Sequence, residues 1–124
     1  MIQVKLKDIL NRDILNDISK KELKARAAFK LARIIREVNN EYELFQESRQ
    51  KIIEKYVAKN EDGTWQTDKE QNYFVPQKDI GAYNSDITDL LNTTVELNVE
   101  ALTLEDIEDA NFTVEQMQIL ILFM

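Results

Sequence analysis

The 124-residue sequence predicts an α+β fold, in which one long helix of about 40 residues packs on two to three shorter helices and a small antiparallel or mixed sheet. Three observations predict this class. Large side chains recur between residues 28 and 56 at alternating steps of three and four, the period of a coiled-coil helix. Residues 2–6 and 94–100 alternate apolar and polar side chains, as half-buried strands do. Several Ser and Thr residues precede Glu, Asp or Gln by three positions, which is the spacing of helix capping boxes.

The N-terminal segment predicts a short strand followed by a short helix. Strand-like alternation covers residues 2–6, and apolar residues then recur at helical spacing over 8–18. Because a strand does not leave its backbone groups unpaired in a core, we expect 2–6 to lie beside 94–100.

The long helix is predicted over 20–59, because Ser19 and Glu22 have capping-box spacing. Its seam comprises Ala28, Leu31, Ile35, Val38, Tyr42, Phe45, Arg49, Ile52 and Tyr56. Such a helix would measure about 60 Å, longer than the diameter of about 35 Å expected for a compact domain of this size. The seam is therefore covered either by an intramolecular hairpin with residues 79–92 or by a coiled coil with a second chain.

The segment after the long helix begins with a predicted turn at residues 60–63, where Gly63 can adopt a positive φ. Trp65, Tyr73 and Phe74 then fall in two short extended pieces around a polar loop. These aromatic residues either form a recognition patch or cover the end of a core, and both interpretations are open.

The remaining elements follow from periodicity and caps. Residues 79–92 predict a helix with one apolar face. Thr103 and Asp106 indicate the cap of a short helical turn, and Thr113 and Gln116 form a capping box that opens a last helix. That helix is apolar nearly all round, with Val114, Met117, Ile119, Leu120, Ile121, Leu122, Phe123 and Met124. It is either buried in the core or docked on another subunit.

The chain is predicted to be a single domain, 1–124, but its charge is unevenly distributed. The strand-and-helix segment 1–19 is neutral, the long helix 20–59 carries about +5, and the acidic half 60–124 carries −12, for a total of −7. Either the acidic half folds back onto the basic helix, or the asymmetry marks a partner.

The positive charges of the long helix are concentrated at its start. Seven basic residues are opposed there only by Glu22: Lys20, Lys21, Lys24, Arg26, Lys30, Arg33 and Arg36. Lys24, Arg26, Lys30 and Arg33 form the candidate basic face, which could contact nucleic-acid phosphates. Because the protein is acidic overall and carries no recognised nucleic-acid motif, nucleic-acid binding is disfavoured.

Composition argues against an enzyme and against a bound metal or cofactor. The chain has no Cys or His and only two Gly residues, so zinc sites, thiol nucleophiles, Ser-His triads and Gly-rich phosphate loops are excluded. The acidic cluster Glu105, Asp106, Glu108 and Asp109 matches no calcium-loop spacing and is predicted to be a solvated helix start. No segment has the length of a membrane span or the pattern of a signal peptide, so a cytoplasmic protein is expected.

Two stretches resemble a known family. The first is AFKLARIIREVNNEYELFQESRQKIIEKY with its acidic turn NEDG, and the second is DITDLLNTTVELNVEALTLEDIEDANFT. From about residue 22 onward the chain resembles small proteins of unknown function encoded by phages and prophages of Gram-positive bacteria, although its apolar ending differs from the charged ending expected there. The resemblance implies a viral context, located in the host cytoplasm or the virion, and supplies no catalytic residues.

The leading hypothesis is a non-enzymatic phage protein that acts through protein–protein contacts as a virion structural or assembly component. The alternatives are an inhibitor of a host defence or regulatory protein, in which the acidic half imitates a polyanion, and a nucleic-acid-binding accessory protein. The expected partner is a protein, either a second copy or a host or viral protein, and a homo-oligomer is expected. The candidate interface residues are Leu31, Ile35, Val38, Tyr42, Phe45, Ile52, Leu120, Leu122 and Phe123.

Overall fold

The computed structural model describes residues 1–67 and 72–124, and it confirms the α+β class. Its elements in chain order are β1 (Ile2–Lys5), α1 (Leu6–Ile9), α2 (Arg12–Ser19), α3 (Ala25–Tyr56), α4 (Gln77–Leu91), β2 (Thr94–Leu97), α5 (Leu104–Ile107) and α6 (Val114–Ile121). No helix in these described ranges is both long enough and apolar enough to cross a lipid bilayer.

The chain divides into two compact units. Unit 1 comprises Met1–Glu43 together with Thr93–Met124, and unit 2 comprises Leu44–Asn92. The residues of α3 are therefore assigned to both units, 25–43 to the first and 44–56 to the second.

The sheet of unit 1 confirms the predicted pairing of the two alternating segments. Strands β1 and β2 are antiparallel, with Ile2 opposite Leu97 and Lys5 opposite Thr94. Val4 and Leu97 are buried, whereas the exposed Gln3 side chain donates a hydrogen bond of 3.1 Å to Glu96. Buried and exposed side chains alternate along both strands, which explains why apolar and polar residues alternate there in the sequence.

The N-terminal helices differ from the prediction. The single helix expected over 8–18 is interrupted at Asn11, whose backbone is not helical, so α1 and α2 are separate. This break allows Ile9 and Leu15 both to be buried. The capping box expected at Ser19 is also wrong, because Ser19 is the last residue of α2 and its hydroxyl donates to the Asn16 carbonyl.

Helix α3 is shorter than predicted, with 32 residues rather than the expected 20–59. Its start is delayed because Lys21 N–H bonds to the Ile18 carbonyl, closing α2 first, and residues 20–24 are not helical. Along the helix the core side is offset by one residue from the predicted seam at three places, the first of which is Ala27, buried where the predicted Ala28 is exposed. Ile34 and Ile53 are completely buried, whereas the predicted Ile35 and Ile52 are only half-buried.

The C-terminal elements of unit 1 follow their predicted caps. Thr103 and Thr113 each form a complete capping box, at the starts of α5 and α6. Leu120 and Phe123 lie in the core, and the Leu102 N–H donates to the Phe123 carbonyl at 2.8 Å. One side of the apolar C-terminal segment therefore lies in the core of this chain.

Unit 2 places a turn and isolated bridges between its two helices. Gly63 has a φ of +87°, as the predicted turn requires, and its N–H bonds to Asn60. Short antiparallel bridges join Lys59 to Trp65 and Thr67 to Tyr73. The middle of the predicted polar loop, residues 68–71, lies outside the described residues.

Candidate interaction surfaces

A buried ion pair joins α3 to α5 within unit 1. The Lys30 ammonium donates to Asp106 Oδ2 at 2.8 Å, and the Lys30 side chain is only 4% exposed. The same carboxylate accepts the backbone N–H of Thr103 at 2.9 Å, so it serves both the ion pair and the helix cap. The hydrogen bond from Lys30, followed by that from Thr103, lowers the pKa of Asp106 from 3.8 to about 2.

A second, exposed set of ion pairs lies close by in sequence. Lys24 Nζ is 3.1 Å from Asp109 Oδ2 and 3.7 Å from Glu108 Oε1. The hydrogen bond to Asp109, with the negative charge of that residue, raises the pKa of Lys24. Within unit 1, acidic residues near the C-terminus thus fold back on the basic start of α3, which was one of the two predicted outcomes.

These contacts change the status of both predicted charge clusters. The expectation of a solvated acidic cluster is wrong for Asp106, which is buried, although Glu105, Glu108 and Asp109 are exposed. In the candidate basic face, Lys30 is enclosed and Lys24 is paired, which leaves Arg26 and Arg33 exposed.

The predicted interface residues are distributed between the core and its edge. Leu31, Val38, Phe45, Leu120 and Phe123 are buried, and Ile35, Tyr42, Ile52 and Leu122 are half-buried. The Tyr42 ring is covered by the Arg12 guanidinium, 3.6 Å from its centroid. For the five buried residues the chain itself supplies the burial, and a role in contacts between chains stays a prediction.

An exposed apolar groove lies in unit 2, where Tyr73 and Phe74, two of the three aromatic residues noted in the sequence, meet α4. Its volume is about 340 Å³, and it is lined by Tyr73, Phe74, Val75, Ile80, Tyr83 and Asn84. Phe74 and Ile80 remain 50% and 42% exposed. No residue of α4 is fully buried, so this helix presents apolar side chains that unit 2 leaves partly open to water.

One wall of this unit 2 groove is held by a network of ring contacts. The Tyr83 ring packs edge-on against Tyr56 with centroids 6.2 Å apart, and the Tyr56 hydroxyl donates to Asp86 at 2.9 Å. On Tyr73, the Arg49 guanidinium lies 5.8 Å from the ring centroid. Rings fixed in this way lose little further freedom when a partner binds, which favours association.

Two large apolar residues on the solvent side of α3 were missed by the sequence interpretation. Phe29 is 65% exposed and Leu44 is 55% exposed. The available signal was their position off the seam, because a large apolar residue on the polar side of an amphipathic helix has no core to fill.

Among residues 1–67 and 72–124, no three acidic side chains come together as possible metal ligands. The arrangement offers apolar and charged surfaces, which are suited to binding other macromolecules. Comparison of the chain with protein-family models, with curated proteins and with solved structures finds no match.

Proposed function

We propose that this chain is a non-enzymatic phage protein that works by binding another protein, as a virion structural or assembly component in the host cytoplasm or the virion. The observation that carries the proposal is the unit 2 groove. Five of its six lining residues are apolar or aromatic, and about half of the Phe74 and Ile80 side chains is exposed to water. Contiguous apolar surface of this kind is costly to expose and is typical of protein-binding sites.

The composition of the groove supports a protein partner in particular. Tyr and Phe supply large contact area with few rotatable bonds, and the single amide of Asn84 can fix the orientation of a bound backbone. The viral context comes from the resemblance of residues 28–56 and 86–113 to phage and prophage proteins, and it is part of the proposal.

A second candidate function is inhibition of a host defence or regulatory protein by acidic mimicry. The observation that favours it is the charge of residues 93–124, which include seven acidic residues and no Lys or Arg. Two of these carboxylates, Glu108 and Asp109, are satisfied by Lys24, but Glu100, Glu105 and Glu115 remain exposed. An acidic surface can occupy a basic groove on a host protein.

Affinity capture from phage-producing cells tests the proposal against this second candidate. Tagged wild-type chain, a groove variant carrying Phe74→Ser and Ile80→Ser, and a variant carrying Glu105→Gln and Glu115→Gln are compared by quantitative mass spectrometry. We expect virion or assembly proteins to be captured by the wild type and by the acidic-surface variant, and to be lost about tenfold or more from the groove variant.

Two results would overturn the proposal. Capture of a host protein that is lost only in the Glu105→Gln, Glu115→Gln variant would favour acidic mimicry. Equal capture by the groove variant and the wild type would remove the groove from the binding surface. Circular dichroism confirms beforehand that each variant is folded.

A further inference from the structure

Unit 1 carries two exposed surfaces that each combine large apolar side chains with charge, two arginines on one and one glutamate on the other. The first, here named the α3 stripe, consists of Phe29, Arg33 and Arg36. Residues spaced by four and three positions project from one side of a helix, so these three side chains lie in line over about 10 Å. Neither arginine forms an ion pair with another described residue.

The α3 stripe borders an apolar groove of its own. This groove of about 290 Å³ is lined by Leu23, Ala28, Ala32 and Ile35, together with Ser19, Lys21 and Leu31. Ala28 and Ala32 are small, so an apolar side chain from outside can approach the helix closely. Lys21 is the charged lining residue, so the groove and its border are positive.

The second surface, here named the α6 outer face, consists of Val114, Glu115, Gln118 and Ile121. Val114 is 77% exposed and Ile121 is 61% exposed, and they are seven positions apart, like Phe29 and Arg36. Leu120 is buried and the capping box at Thr113 is complete, so the helix that presents this face is anchored in the core.

We infer that the α3 stripe and its groove bind the α6 outer face of a second copy of this chain. The two surfaces complement each other, because one carries two arginines beside an apolar groove and the other carries the Glu115 carboxylate beside two protruding aliphatic side chains. Within one copy they remain unpaired, since Phe29, Val114 and Ile121 are all exposed. Different residues form the two sides, so the contact is heterologous and can be repeated from copy to copy.

Inside unit 1, basic residues next to the α3 stripe already form ion pairs with acidic residues near the C-terminus. Lys24 and Lys30 of the α3 region already hold Asp106, Glu108 and Asp109. Arg33 and Arg36 continue the basic segment beyond that contact. A nucleic acid is a poorer occupant, because two arginines neutralise few phosphates and the chain carries a net charge of −7.

The inference adds to the function proposed above a second protein–protein contact, made with another copy of the chain on a different surface. Sedimentation velocity at low salt, over about 10 to 500 µM, covers the affinities of small interfaces. We expect reversible, concentration-dependent association of the wild type that weakens at 1 M salt, where the Debye length falls to about 3 Å. A wild type that stays monomeric throughout would overturn the inference.

Two surface variants identify the sides of the contact. A stripe variant with Phe29→Ser and Arg33→Glu, and a face variant with Val114→Ser and Ile121→Ser, should each weaken association about tenfold or more. A mixture of the two variants should form a heterodimer and no larger species, because the face variant keeps its stripe and the stripe variant keeps its α6 outer face. If either variant alone associates like the wild type, the contact is not heterologous and the inference is wrong.

The unit 2 groove variant separates this inference from the proposed function. Phe74→Ser with Ile80→Ser should leave self-association unchanged, even if capture of another protein is lost. Abolished self-association in that variant would place the contact on unit 2 and overturn the inference. The inference would also be wrong if the wild type were monomeric and bound a single-stranded oligonucleotide that the Arg33→Glu variant does not bind. Nucleic acid would then be the occupant of the α3 stripe.

Discussion

At the scale of single residues, Asp106 combines two structural roles in unit 1, as the partner of Lys30 and as part of the cap of α5. It accepts hydrogen bonds from Lys30 and from the Thr103 backbone, and it is almost inaccessible to solvent. Removing one member of a buried ion pair is costly because the other charge remains enclosed without a partner.

Substitution of Asp106 by Asn should therefore destabilise the protein by about 3 kcal/mol, since the Lys30 ammonium is left buried without its counter-charge. The matched control is Asp109→Asn, which removes an exposed carboxylate from Lys24 and should scarcely change stability. Urea unfolding of both variants measures the difference. Equal destabilisation by the two substitutions would contradict the distinction between a buried and an exposed pair.

The same carboxylate predicts a dependence of stability on pH. The folded state lowers the pKa of Asp106 from 3.8 to about 2, so the folded protein binds this proton less readily than the unfolded chain. The resulting stabilisation, roughly 1 to 2 kcal/mol, is complete above about pH 5 and is lost as the pH falls toward 2. The difference in unfolding free energy between the wild type and Asp106→Asn should shrink over this range, and a constant difference would contradict the assignment.

At the scale of elements, helix α3 shows how far a periodic pattern can be read. The alternation of three and four predicted a long helix and the burial of Leu31, Val38 and Phe45, which the structure bears out. The same pattern could not predict which of two neighbouring isoleucines is buried. Ile34 and Ile35 are adjacent and equally apolar, and the side that becomes buried depends on the elements that pack there.

Paired alanine substitutions test this offset. Ile34→Ala should cost about 3 kcal/mol, because the site is completely buried, whereas Ile35→Ala should cost about 1 kcal/mol. Ile53 and Ile52 provide the same comparison in unit 2. Thermal and urea unfolding of the four variants measure these losses of stability. A larger loss of stability for Ile35→Ala than for Ile34→Ala would mean that the predicted seam, and not the side with Ile34, faces the core.

Local signals also failed where two elements meet. Ser19 has the spacing of a capping box, but the same serine can return its hydroxyl to the preceding helix, as it does with Asn16. Asp106 was predicted to be solvated because nothing in its neighbourhood indicates Lys30, 76 positions away. The caps at Thr103 and Thr113 were predictable because all their partners lie within one turn.

At the scale of the whole molecule, folding pairs some of the basic residues at the start of α3 with acidic residues near the C-terminus. The basic segment 20–36 uses Lys24 and Lys30 internally, and the net charge of −7 remains. The candidate nucleic-acid interface is thereby reduced, because one of its four residues is enclosed and another is paired.

We therefore predict weak, non-specific nucleic-acid affinity, if any, at physiological salt. Fluorescence anisotropy with single- and double-stranded oligonucleotides measures it, using Arg33→Glu with Arg36→Glu as the variant. Lys30 is unsuitable for this test because its substitution would disturb the buried ion pair. Tight binding at about 0.15 M salt that disappears in the arginine variant would contradict the prediction.

The strand pairing described for unit 1 has a consequence for the order of folding during synthesis. Ile2 pairs with Leu97, which is 95 positions further along, whereas unit 2 is one continuous segment. The ribosome therefore releases the whole of residues 44–92 before β1 has a partner strand. Closing so long a loop is entropically costly and slow. Until Leu97 emerges, residues 2–5 have no partner strand, and the apolar Ile2 and Val4 lack the neighbours that cover them in the folded protein.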